Sequence, residues 1–261
     1  MSLNLNNIGS PLCIVDGGKY DGKLVSASAD KEDEKDDGVF KSFSQLNLQK
    51  DAKFKIYPDS KLERQIGYIS GASGAGKSTF VKAYVENYRK IYPKNPVFLL
   101  SRLGEDKSID LPYIKRIKLD EQFYTDPLSV EDFSDSLVIS DDIDTIKNPK
   151  ELKQAITALI DSILEVGRHY RCSMLVTSHV VTRSVETRNI INEAHFVTLF
   201  LKSSSTYTYF LQQYMGFNLK QIRKLKKIDS RAVTINRQYP NTVIGERVVM
   251  LATELDDVYA D

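Results

Sequence analysis

Cysteine is scarce in this chain. The two that occur, Cys13 and Cys172, lie far apart, and Cys172 opens an apolar run. That excludes a disulfide framework, and both read as reduced, buried thiols of an intracellular protein. Long apolar runs are missing as well. No stretch holds eighteen consecutive apolar residues, and the polar opening Met1-Ser2-Leu3-Asn4 lacks the pattern of a signal peptide. The expectation is a soluble, cytosolic protein without a membrane partner. The formal net charge is only +1, so no overall basic field marks a nucleic-acid partner, and any such contact has to come from a local patch. The three histidines, His169, His179 and His195, show no metal-ligand spacing and no cysteine pair joins them, which argues against a zinc site. No internal repeat is visible, and the Asn-Lys-x-Asp signature of a guanine-nucleotide switch is absent.

What is present is concentrated in one loop. Gly71-Ala72-Ser73-Gly74-Ala75-Gly76-Lys77-Ser78, followed by Thr79, is a complete phosphate-binding loop. Gln65-Ile66-Gly67-Tyr68-Ile69-Ser70 before it reads as a short apolar strand, and residues 79 to 92 carry apolar residues at helical spacing until Pro93 stops them. Gly71, Gly74 and Gly76 let the backbone wrap a polyphosphate, so that consecutive N–H groups and the helix N-terminus point at anionic oxygens. Lys77 then reaches the outer phosphates, and the Ser78 hydroxyl is placed to ligand Mg2+. A chance glycine-rich turn would not bring strand, loop and helix in this order. The stretch predicts an ATP-binding site lined by residues 71 to 79.

The 261 residues are 41% hydrophobic, enough for one sizeable core with decorations or for one domain and a small appendage. Residues 1 to 64 read as a β-rich region. Short strand-like runs at 12–15, 22–25 and 54–57 are separated by turn signals and by an acidic loop at residues 30 to 37. From 65 onward the chain alternates strands and helices, the pattern of a parallel sheet covered on both faces. Strands are expected at 97–100, 137–139, 174–176 and 196–200. A helix is expected over 149–166, with Asn148 as N-cap and Pro149 at its first position. The tail from about residue 206 reads as helical segments and then a strand pair near 232–236 and 243–251. Residues 65 to 261 are taken as one ATPase domain with a C-terminal extension.

Leu137-Val138-Ile139-Ser140-Asp141-Asp142 is an apolar strand that ends in two acids. At the carboxyl edge of a parallel sheet, that is where a partner of the loop-bound Mg2+ has to sit. Asp141 is the candidate for the metal, and Asp142 for the general base that polarises the attacking water. The next strand ends in Thr177-Ser178-His179, polar residues able to sense the terminal phosphate, although His179 also fits an ordinary loop histidine. Arg168 follows Gly167, which reads as a helix C-cap. It is a candidate arginine finger, with Arg171 and Arg188 as rivals, or else a surface cation that completes the helix end. Lys220-Gln221-Ile222-Arg223-Lys224-Leu225-Lys226-Lys227 holds five cations in eight residues, either a solvated helix face or a contact for phosphate backbones.

The loop at 71–79, Ser140-Asp141-Asp142, and Leu164-Glu165-Val166-Gly167-Arg168-His169 followed by Val176-Thr177-Ser178-His179 resemble the FtsK/HerA superfamily. The likeness is nearest to the genome-packaging ATPases of large double-stranded DNA viruses, the poxvirus-type group and its virophage relatives. Residues 229–236 and Tyr239-Pro240 fit the same group, and the likeness spans roughly residues 54 to 251. The phosphate loop is shared by many families, whereas the Gly-Arg-His segment is more particular. The resemblance implies a RecA-like P-loop NTPase fold of the additional-strand type, a mainly parallel sheet between helices, plus the small β-rich N-terminal region. It implies a Mg2+-dependent, DNA-stimulated ATPase working as a homo-oligomeric ring of about five or six subunits. Such a ring translocates double-stranded DNA into a preformed capsid, with a capsid or portal protein as partner, in the cytoplasm of an infected cell or on the virion. It also implies that Arg168 acts in trans on a neighbour's ATP. Related motors often carry glutamine where His179 stands and glutamate where Asp142 stands. The competing readings are another ring-forming DNA-translocating or remodelling ATPase, and a nucleotide-dependent assembly module with weak hydrolysis.

Overall fold

Residues 1–29, 42–102, 104–106, 108–142, 146, 148–181, 185–203 and 207–256 are described by the structure, a computed structural model. The acidic run at 30–37 lies outside them. The first strands are β1 (Ser2–Asn4), β2 (Ser10–Asp16), β3 (Leu24–Ser28), β4 (Gln45–Asn47) and β5 (Lys53–Ile56). Four of them pair antiparallel in the order β1-β3-β2-β5 and bury Leu3, Cys13, Val15, Val25 and Phe54. The strand expected at 22–25 begins two residues later. Gly22, with φ 74°, belongs to the turn, where its N–H donates to Val15 O and that of Lys23 to Tyr20 O.

Residues 62–195 form a compact unit of their own. It contains β6 (Ile66–Ser70), α1 (Lys77–Ile91), β7 (Val97–Ser101), β8 (Ile114–Ile117), α2 (Glu121–Thr125), β9 (Leu137–Asp141), α3 (Lys150–Val166), β10 (Ser173–Ser178) and α4 (Val185–Glu193). Its five strands are all parallel, in the order β6-β10-β9-β7-β8. Every residue of β6, β9 and β10 is buried, as expected of parallel strands covered by helices on both faces. Strand β8 escapes the sequence pattern because Ile114-Lys115-Arg116-Ile117 sits at the sheet edge, where Lys115 reaches solvent and Arg116 pairs with Asp110. Along the chain, two strands, β7 and β8, therefore lie between the phosphate loop and the acid pair.

Helix α3 buries one stripe, Leu152, Ile156, Leu159, Ile160, Ile163 and Leu164. It starts one residue later than expected. Pro149 has ψ 158° and stands as the cap, so Lys150 is the first helical residue. At the other end Gly167 is the C-cap, in right-handed rather than left-handed geometry.

From Phe196 onward the chain packs with residues 1–61 as a second compact unit, whereas the sequence alone groups this segment with the loop domain. Its elements are β11 (Phe196–Leu199), α5 (Tyr207–Gln213), α6 (Leu219–Lys227), β12 (Val233–Asn236), β13 (Thr242–Ile244) and β14 (Val248–Leu251). The expected strand at 243–251 is in fact a hairpin. Gly245 donates to Val248 O and closes the turn between β13 and β14. The meander β11-β12-β13-β14 continues onto β4, whose three residues carry no apolar run. The fold is thus α/β, with a mainly parallel sheet between helices and a small antiparallel sheet at the N-terminus. Cys13 and Cys172 are free and buried. Burial pushes the Cys172 thiol up to about 11 and Cys13 higher still. No helix among the described residues is long and apolar enough to cross a membrane.

Candidate functional site

The carboxyl ends of β6, β10, β9 and β7 bring the sequence-picked residues to one edge. Gly71 follows β6 directly, and its N–H donates to Ser178 O at the tip of β10 (3.1 Å). Gly74 (φ 73°) and Gly76 (φ 110°) take backbone angles that side-chain-bearing residues rarely adopt, and nothing lies within 4 Å of where a Cβ on Gly74 would stand. The loop then enters α1 at Lys77. The first turn of any helix has N–H groups with no intrahelical acceptor, so its positive end faces the loop.

Lys77 is buried, and its ammonium has three partners. Nζ donates to Gly71 O (3.0 Å), lies 3.2 Å from His179 Nδ1 and is 3.5 Å from Asp142 Oδ1. His179 Nε2 is in turn 2.9 Å from Asp142 Oδ2. Because an ammonium can only donate, Nδ1 is the accepting nitrogen and Nε2 carries the proton given to Asp142. Lys77, Asp142 and His179 thus form one closed circuit of charge and hydrogen bonds.

Asp141 and Asp142 face different surroundings. Asp141 is 7% exposed. Burial raises its pKa and the Asp142 and Asp106 charges add to the rise, against hydrogen bonds from Thr177 and Ser101. Thr177 Oγ1 lies 2.8 Å from Asp141 Oδ1 and 3.1 Å from Asp142 Oδ1, and it accepts the Asp142 N–H (3.0 Å). The strand-tip threonine therefore ties the acid pair together. Asp142 has φ 48°, in the left-handed region. Aspartate tolerates that region better than glutamate does, which is a physical reason for the shorter acid at this place. Ser178 Oγ is turned into its own loop, against Val180 O and N.

Two residues at this edge carry no motif. Ser101, the last residue of β7, donates to Asp141 Oδ2 (3.2 Å). Asp106, in the loop after β7, accepts from Ser78 Oγ with Oδ2 at 3.4 Å. A polar residue closing an apolar strand is the signal that could have flagged Ser101. Asp106 has no such signal.

Arg168 is elsewhere. It follows α3 and precedes the first residue of β10, whereas the phosphate loop follows the last residue of the parallel neighbour β6. A six-residue strand is about 20 Å long, so Arg168 cannot reach its own chain's loop. It is exposed and paired with Glu63, whose carboxyl it holds below the usual range by hydrogen bond and charge. The rival Arg171 is held by Asp135 (2.5 and 2.8 Å), and Arg188 is exposed on α4. On α6, Ile222 and Leu225 are buried while Lys220, Arg223, Lys226 and Lys227 are exposed.

The donor set suits Mg2+. Ser78 and the acids offer hard oxygens only, and no group of three or more His, Cys, Asp or Glu that could hold a metal occurs among the described residues. Mg2+ needs no such cage, since one or two carboxylates with substrate phosphates and water complete its shell.

No protein-family model matches the chain. Uncharacterized protein V3 of the Sputnik virophage is 38% identical over 247 residues, covering 94% of this chain and 96% of its own length. Among solved structures, the genome packaging NTPase B204 from Sulfolobus turreted icosahedral virus 2, in complex with ATPγS, matches with a TM-score of 0.50 at 12% identity. That match covers 70% of this chain and 97% of B204. The pCW3 conjugation coupling protein TcpA, with ATPγS, matches with a TM-score of 0.52 at 11% identity, over 90% of this chain and 77% of TcpA. The chain belongs to the family of the virophage protein V3, and its fold is the P-loop NTPase fold of B204 and TcpA.

Proposed function

We propose that the protein is an ATP-hydrolysing motor subunit that moves double-stranded DNA, packaging a viral genome into a capsid as part of a homo-oligomeric ring. The observation that carries this reading is the joining of the loop at 71–78 to Asp142 and His179 through the Lys77 ammonium. The genome-packaging role of B204 and the virophage origin of V3 support the choice of process.

In this reading the loop amides and Lys77 hold the β- and γ-phosphates. Ser78 and Asp141 hold the metal, and a bound Mg2+ supplies charge neutralisation across the phosphate oxygens. Lys77 exchanges the Asp142 carboxylate for phosphate, which frees Asp142 to orient water and take its proton. His179 and Thr177 register the change at the acid pair and pass it to the strand-tip loops. Arg168 of a neighbouring subunit completes the site, consistent with its distance from its own loop.

A second reading, another ring-forming DNA-translocating ATPase, is favoured by the fold shared with a conjugation coupling protein. The test is ATP turnover with and without duplex DNA, run beside a solution mass measurement. DNA-stimulated hydrolysis by an oligomer supports a translocating motor, and DNA-independent or absent turnover counts against it. Uptake of DNA into purified capsids separates the packaging reading from the second.

A further inference from the structure

We infer that Asp106 is a positioning residue for the divalent cation, acting through the hydroxyl of Ser78. The inference rests on the proposed function, because it deepens the same site. A serine hydroxyl has one proton and two lone pairs, and it can ligand a cation only with a lone pair. Asp106 Oδ2 is the acceptor placed for that proton, 3.4 Å from Ser78 Oγ. With the proton turned to Asp106, the lone pairs of Ser78 face the phosphate side of the loop. This is the arrangement by which outer carboxylates orient the ligands of a metal.

Asp106 is itself held in place. Its Oδ1 accepts the Ser108 N–H (2.9 Å), its N–H donates to Asp110 Oδ2 (2.6 Å), and its carbonyl accepts from the N–H groups of Ile109 and Asp110 (3.0 and 2.8 Å). The turn therefore fixes the carboxylate without help from Ser78, so the contact is not a chance meeting of two loose side chains. Asp106 also adds to the negative field felt by Asp141, which places a second acid charge on the Ser78 side of the site.

The sign of the effect separates this role from a merely structural one. A carboxylate beside the phosphates repels metal-free ATP and attracts its Mg2+ complex. Asp106→Asn keeps an oxygen for the Ser108 N–H but removes the charge. Metal-free ATP should then bind as tightly as before or more tightly. The gain in ATP affinity on adding Mg2+ should shrink about tenfold, the lower end of what outer-shell partners contribute. Ser108→Ala removes a hydroxyl that also bonds Asp106 Oδ1 but keeps the Ser108 N–H and the carboxylate charge, so it should reduce the Mg2+ gain by less than Asp106→Asn does. Because Asp106 acts through Ser78, Asp106→Asn should add little further loss to Ser78→Ala, so that the pair is non-additive.

The measurement is fluorescent-ATP binding to the full chain in EDTA and across a Mg2+ titration. Equal Mg2+ gain in the unaltered protein and in Asp106→Asn would overturn the role of Asp106, as would strict additivity with Ser78→Ala. Failure of the unaltered protein to bind ATP with or without Mg2+ would instead overturn the proposed function.

Discussion

His179 donates from Nε2 to Asp142 Oδ2 across 2.9 Å, while its other nitrogen faces the Lys77 ammonium at 3.2 Å. Asp142 is therefore both the candidate base and a counter-ion of the phosphate-binding lysine. An incoming phosphate has to take Lys77 from it. Asp142→Asn should accordingly strengthen ATP binding, by about two- to fivefold for a partly exposed ion pair. The same change should lower turnover by about a hundredfold or more through loss of the base. Binding by fluorescent ATP and turnover by phosphate release check the two halves. Weaker binding with normal turnover would show that Asp142 does neither job.

Arg168 stands about a strand length away from its own loop, so the proposed finger role requires a neighbouring subunit's ATP. Arg168→Ala should cut turnover by roughly a thousandfold while sparing ATP binding, and Lys77→Ala should abolish turnover. A mixture of the two should recover activity, since each supplies what the other lacks at a shared interface. Glu63→Gln, which releases the guanidinium from its exposed partner, should leave turnover undiminished. No recovery in the mixture would transfer the role to Arg171 or Arg188.

The parts of the site that were legible in the sequence are those whose chemistry is local. Gly71 to Ser78 are consecutive, Asp141 and Asp142 close an apolar run, and Thr177 to His179 close the next one in space. What stayed hidden depends on distance along the chain. Asp106 meets Ser78 across 28 residues with no motif at either end of its loop. Strand β8 carries Lys115 and Arg116 because it is an edge, so its apolar run is too short to recognise. The C-terminal meander pairs with β4, three residues, Gln45-Leu46-Asn47, too short and too polar to give a strand signal. Arg168 is marked by its place behind Gly167, and the resemblance adds its action in trans, but its pairing with Glu63 could not be read from either segment.

The end of α3 offers a test of packing near that arginine. Arg64 reaches across to donate to Ile163 O and, at 2.7 Å, to Leu164 O, filling the carbonyl end of the helix with positive charge. Gly167 leaves the room for it: a Cβ there would stand 2.4 Å from Ile163 O and 3.0 Å from Arg64 Nη1. Gly167→Ala should destabilise by about 1–3 kcal/mol, the range for an overpacked site. Arg64→Ala should cost about as much by leaving those carbonyls without the charged donor. The double variant should lose less than the sum, because both changes disrupt one contact. Thermal melts read this at about 2–4 °C per kcal/mol. An unchanged melting point for Gly167→Ala would mean that the helix end relaxes freely.

The basic face of α6 gives the DNA reading its own falsifiable measurement. Asn218 caps the helix through the N–H groups of Lys220 and Gln221, and Ile222 and Leu225 anchor it, so its cations stand on a fixed surface. Lys224 and Lys226 also bond within the chain, to Asp256 O (3.2 Å) and Thr208 Oγ1 (2.7 Å). Lys220, Arg223 and Lys227 are exposed and are the candidates tested for phosphate contacts. If they touch the duplex, changing all three to alanine should weaken binding to every DNA sequence alike. It should also flatten the slope of log affinity against log salt by about 0.9 per lost contact, or roughly 2 to 3 in all. Helix stability should hold, since alanine favours helix and the buried pair is untouched. A slope that does not change on substitution would take α6 off the DNA path and leave it a solvated face.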